Sequence, residues 1–85
     1  MDLVITPAQK AAVLGAKHLP DVLKRVLDGA RAKGPDLVVH LTYEEATALN
    51  ELCSWNVHTD PAGNVSAESK PFDDLVRAIM THPEY

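Results

Sequence analysis

The residues whose types suit chemistry are four histidines, His18, His40, His58 and His82, and a single cysteine, Cys53. A structural zinc takes four ligands, usually as two short-spaced pairs. Cys53-x4-His58 is the one close pair here, so the spacing predicts no metal. Ser54, His58 and Asp60 supply the residue types of a hydrolase triad within seven residues. Triads, however, bring together side chains from separate elements beside an oxyanion hole. The sequence also has no Gly-x-Ser-x-Gly elbow to expose a nucleophile. Cys53 lies on an apolar helical stripe, which favours a small buried hydrophobe over a reactive thiolate. Glycines 15, 29, 34 and 63 stand singly, so neither a phosphate loop nor a dinucleotide fingerprint can form. The expectation is a chain with no catalytic, cofactor or metal site.

Binding is the remaining chemistry, and charge and Trp55 direct it. Residues 1–35 hold six bases against three acids, whereas residues 36–85 hold two bases against nine acids. Such asymmetry bears on partners and steering, not on fold. Tryptophan is enriched at interface hot spots, and Trp55 is followed by a stretch to residue 69 without periodicity. Segments of that length in compact domains are often functional. Trp55, Glu51, Glu44, His58 and Asp60 are therefore the expected contacts for a protein partner. The basic alternative is a nucleic-acid regulator that uses Lys24, Arg25, Arg31 and Lys33 of the second helix on a homodimer. Against it, Asp21–Arg25 and Lys24–Asp28 at i, i+4 and Asp28–Arg31 at i, i+3 answer much of that charge locally.

These residues need elements to position them. Eighty-five residues suit one domain with a thin core. Apolar runs reach only three residues, as in Leu3-Val4-Ile5 and Leu37-Val38-Val39, too short for a membrane span. Met1-Asp2 starts acidic with no secretory signal pattern after it, and one thiol suits a reducing compartment, so the cytoplasm is the expected location. Internal similarity organises the chain into halves, 1–35 and 36–85. Asp2-Leu3-Val4-Ile5-Thr6-Pro7-Ala8-Gln9 matches the run from Asp36 through Leu37-Val38-Val39 to Thr42 and Glu45, with two extra residues in the second strand. Thr-x-x-Gln and Thr-x-x-Glu are capping boxes, so a strand ends and a helix starts at both Thr6 and Thr42.

Helices are then predicted over 7–18, from Pro20 to near Lys33-Gly34, over the stripe Ala46, Leu49, Leu52 and Cys53, and from about Pro71. The last carries Phe72, Leu75, Val76, Ile79 and Met80 on one face. His18 reads as a helix C-terminal residue and His40 as a partly buried strand residue. Trp55-Asn56-Val57-His58 and Val65-Ser66 would pair as a further hairpin near 55–66, around the turn at Asp60-Pro61. The expected fold is a small α/β (α+β) domain of two degenerate β-α-α halves: two central strands with four helices on one face. Val4, Val38 and His40 on the other face would be covered by a second copy, making a homodimer. The expected function is a non-enzymatic protein–protein interaction module, a small bacterial or bacteriophage accessory or inhibitor protein whose partner is another protein.

Overall fold

In the computed structural model, which describes residues 1–85, alternation along one strand decides the architecture. Strand β1 (Asp2–Ile5) pairs antiparallel with β3 (Asp36–His40), with Leu3 opposite Val39 and Ile5 opposite Leu37. Successive strand side chains point to opposite faces, so Leu3, Ile5, Leu37 and Val39 face one side and Asp2, Val4, Val38 and His40 the other. The first face is buried under four helices, α1 (Pro7–Leu14), α2 (Asp21–Asp28), α3 (Tyr43–Trp55) and α4 (Lys70–Met80). Helix α4 packs on α3, α1 and β1, while α2 packs on α3 and β3. Leu23, Leu27, Leu49, Leu75 and Ile79 complete the core.

A third strand, β2 (Arg31–Lys33), corrects the two-strand expectation and shortens the second helix. Helix α2 stops at Asp28, and the Gly29 N–H closes it by donating to the Arg25 carbonyl. The chain then pairs antiparallel with β3, Arg31 opposite Val38 and Lys33 opposite Asp36, giving the strand order β1-β3-β2. Gly34-Pro35 is the two-residue turn between them. Gly34 has φ +59°; proline at the second central position is held at negative φ, so the turn follows the II′ pattern with glycine first. Glycine 34 thus serves a hairpin, not a helix end.

Both capping boxes form. The Thr6 hydroxyl accepts from the Gln9 N–H at 3.1 Å while the Gln9 side chain accepts from the Thr6 N–H at 2.8 Å. Thr42 and Glu45 repeat the arrangement at 3.2 and 2.8 Å. Helix α1 ends at Leu14, capped by Gly15, four residues before the predicted stop. His18 therefore lies in the connector between α1 and α2 with φ +61°, not in a helix. The predicted hairpin near 55–66 shrinks to one bridge, Thr59 with Val65, because α3 continues through Trp55. On α4, Phe72, Leu75 and Ile79 are buried, but Met80 turns out to solvent. The ion pairs predicted along the second helix do not form; the i, i+4 pair of this fold is Asp73–Arg77 on α4, at 3.1 Å.

The open face of the sheet is mostly self-satisfied. His40 is exposed rather than partly buried, and its Nδ1 lies 2.7 Å from the Asp2 carboxylate across the strands. Lys33 stands opposite Asp36, and Arg31 flanks the Val4–Val38 pair. Three strands of about four residues span roughly 200 Å², well short of the roughly 800 Å² per partner of a standard interface. This face does not by itself require a second copy.

The caps carry a measurable share of stability. Thr42→Ala is expected to lower the unfolding free energy by about 1 kcal/mol, and Thr6→Ala by a similar amount. Urea denaturation checks this, with the two losses additive because the sites lie on separate helices.

Candidate functional site

Helix α3 presents two stripes. Ala46, Leu49 and Cys53 face the core, while Ala48, Glu51, Leu52 and Trp55 fall at i, i+3, i+4 and i+7 along its flank. That flank forms one wall of an open groove of about 430 Å³. The facing wall is the α1–α2 connector, through Lys17, His18 and Pro20, and Asn56 and His58 close one end. The early stop of α1 creates that wall. Residues 15–20 leave the helix, and the left-handed backbone at His18, a conformation uncommon outside glycine, turns the connector before Pro20 leads into α2. Trp55 is 83% exposed at the groove, so it does not seal the core.

A single hydroxyl anchors the end of the groove. Ser69, the one buried polar side chain, accepts from the His58 N–H and from the Ser66 hydroxyl, both at 2.8 Å, and donates to the Asn56 carbonyl at 3.1 Å. The Ser66 N–H returns a bond to the His58 carbonyl. Thus the start of α4 holds the backbone on both sides of Val57 and fixes where the His58 side chain leaves the chain. Asp60 has a different duty: its carboxylate accepts from the Ala62 and Asn64 N–H groups, both at 2.9 Å, and shapes the turn that follows.

Of the predicted partner-binding residues, the groove brings together Trp55, Glu51 and His58 and adds Lys17, His18, Pro20 and Leu52. Glu44 is apart, in the first turn of α3, and Asp60 is in the turn. Of the added residues only Leu52 had a signal in the sequence, the second stripe on α3 at 48, 51, 52 and 55; Lys17, His18 and Pro20 had none. The basic set divides: Lys24 and Arg25 lie on α2 but Arg31 and Lys33 on β2, so no single helix face carries all four.

Burial raises the Cys53 thiol to about 12, which keeps it protonated and unreactive as a core residue. The bond from His40 holds the exposed Asp2 carboxyl below its ordinary value. No hydrogen bond links Ser54, His58 and Asp60; the Ser54 hydroxyl donates to the Asn50 carbonyl instead. No group of three His, Cys, Asp or Glu is placed to hold a metal ion, and no helix is long and apolar enough to cross a membrane. A second, smaller hollow beside α4 is lined by Lys70, Asp73, Asp74 and Arg77, whose Asp73 and Arg77 already pair with each other.

The two kinds of groove residue separate in a stability experiment. Ser69→Ala strands the partly buried His58 N–H and Asn56 carbonyl and should lose about 1–3 kcal/mol. Trp55→Ala should stay within about 0.5 kcal/mol, as expected for an exposed surface site. Denaturant melts of dilute protein measure both, and a large loss for Trp55→Ala would make it a core residue. No protein-family model matches this chain, and no curated protein or solved structure matches it either.

Proposed function

We propose that this chain is a small non-enzymatic interaction module that docks a partner protein on the groove between α3 and the α1–α2 connector. The observation that carries this reading is Trp55, a large aromatic side chain left 83% exposed beside a concave surface. Leaving an indole in water gives up most of the burial energy that tryptophan supplies to a core. At the rim of a groove it serves as an anchor, the residue type most enriched among those that carry binding energy. Leu52 and Pro20 offer it apolar neighbours, and Lys17, Glu51 and His58 supply the polar rim that fixes orientation. An accessory or inhibitory role fits a surface that binds without a reacting group beside it.

A photo-cross-linking side chain placed at His58, against a control at Val4 on the open sheet face, tests the reading in extracts of the native source. The expected result is a discrete protein adduct from position 58 alone, reduced about 30-fold in affinity by Trp55→Ala. Equal adducts from both positions, or none from 58, would end it.

A further inference from the structure

The sheet has two edges, and an open edge is a template for pairing with another chain. The β2 edge carries its own deterrent. Self-pairing there, centred on Ala32, would set Arg31 opposite Lys33 of a second copy, and like charges directly opposite destabilise a strand pair. The β1 edge has no such charges. Its outward groups follow from the ladder on its other side. The Leu41 N–H donates to the Met1 carbonyl and the Met1 nitrogen donates to the Leu41 carbonyl, so Met1 and Leu41 form a hydrogen-bonded pair. Hydrogen-bonded and non-hydrogen-bonded pairs alternate along an antiparallel ladder. Leu3–Val39 and Ile5–Leu37 are therefore hydrogen-bonded pairs, and Asp2 and Val4 turn their N–H and carbonyl groups outward.

A second copy of β1 would fit that edge without conflict. In the antiparallel arrangement centred on Leu3, Asp2 lies opposite Val4 of the second copy, and each such pair exchanges backbone bonds in both directions. No like charges oppose one another. The pairing needs the Asp2 carbonyl, however, and that acceptor is taken: the His82 Nε2 lies 2.8 Å from it. We infer that His82 is an edge guard, a side chain held over β1 that keeps this strand closed to a second copy of itself. The inference does not depend on the groove.

The ring is set for that duty by its own surroundings. A carbonyl only accepts, so Nε2 carries the ring proton in this contact. Nδ1 lies 3.1 Å from the Glu84 nitrogen and accepts that backbone N–H, which fixes the same tautomer. The segment bearing the ring is anchored before and after it. The His82 N–H donates to the Ile79 carbonyl at the end of α4, at 3.1 Å. The Tyr85 N–H donates to the His82 carbonyl, also at 3.1 Å, closing a turn with Pro83 at the position where proline is favoured. That turn brings Tyr85 onto α3. Its ring stacks on Tyr43 with centroids 5.2 Å apart, and its hydroxyl lies 3.2 Å from that of Thr47. The end of α4 and the start of α3 thus hold His82 in place over β1.

Sedimentation velocity at high micromolar protein, joined to hydrogen exchange at the Val4 amide, tests the guard. In wild-type protein the Val4 amide should exchange freely at every concentration, because its N–H faces an unpaired edge. His82→Ala should self-associate about tenfold more tightly than wild type, the effect of one hydrogen-bonding group returned to the edge. Its mass should rise from the 9.2 kDa monomer toward twice that value, with the Val4 amide becoming protected as it does. His82→Gln, whose amide still donates to the Asp2 carbonyl, should behave as wild type. Tyr85→Ala frees the segment from Tyr43 without touching the ring and should move association in the direction of His82→Ala. It keeps the guard testable should His82→Ala fail to fold, which melting curves report. The inference is overturned by a wild-type Val4 amide that gains protection with concentration, or by guard variants that associate no more than wild type. Association that leaves Val4 unprotected, or His82→Gln behaving as His82→Ala, would overturn it equally.

Discussion

Strand β3 pairs on both edges, and the period-two alternation along it is the constraint on which the rest depends. Leu37 and Val39 point into the core, and Leu41, just beyond the strand, is buried with them. A register slip of one residue would send Asp36, Val38 and His40 inward and turn every core contact out to solvent. The register is pinned at both ends. At one end the Gly34-Pro35 turn sets Lys33 against Asp36, and at the other Leu41 and Met1 exchange backbone bonds, the Leu41 N–H donating to the Met1 carbonyl at 2.8 Å. With the register fixed, all four helices have one apolar face to cover, and they cover it from the same side.

The groove follows from that one-sided covering. Helices α2 and α4 pack on α3 while α1 packs on α4, so α3 is covered along its core stripe but only partly along its flank. Helix α1 ends at Leu14, and the connector to α2 that follows lines the same groove as the flank of α3's last turns. The Ser69 hydroxyl then closes the end by holding residues 56–58 against the start of α4. The concavity is thus a consequence of where one helix ends and where one buried hydroxyl sits.

Those two determinants differ in how far the sequence discloses them. The helix starts were legible because a capping box is a local interaction: Thr, two residues, then Gln or Glu satisfy each other wherever the helix goes. Helix ends were not, because glycine has more than one use. The helix predicted to near Gly34 ends early, and Gly34 takes its left-handed conformation in a hairpin turn. Gly15 and Gly29 end α1 and α2 without positive φ. Strand β2 was hidden for the same reason, since Arg-Ala-Lys has no strand propensity and is ordered by pairing with β3. Of the binding residues, Trp55, Glu51 and His58 were legible from type and neighbourhood. Lys17, His18 and Pro20 were not, because they reach the groove only through tertiary packing. Ser69 gave no signal at all; its importance comes from being the one hydroxyl buried among three polar groups of a loop.

The first half runs strand, helix, helix, strand and the second strand, helix, helix, and both contribute to the groove. The first half contributes the connector wall with Lys17, the second the α3 wall with Glu51, so the groove lies on the seam between a basic and an acidic half. A seam between oppositely charged halves would ordinarily be drawn together by intramolecular ion pairs. Here the long α3 and the turned-out connector hold the two charges apart across open space, and the fold gains nothing from them. Surface pairs contribute little to stability in any case, so losing this one costs the chain almost nothing. What the separation leaves is a pair of unanswered charges of opposite sign flanking an exposed tryptophan. That arrangement carries orientation as well as attraction, because an incoming surface must present its own charges in the reverse order.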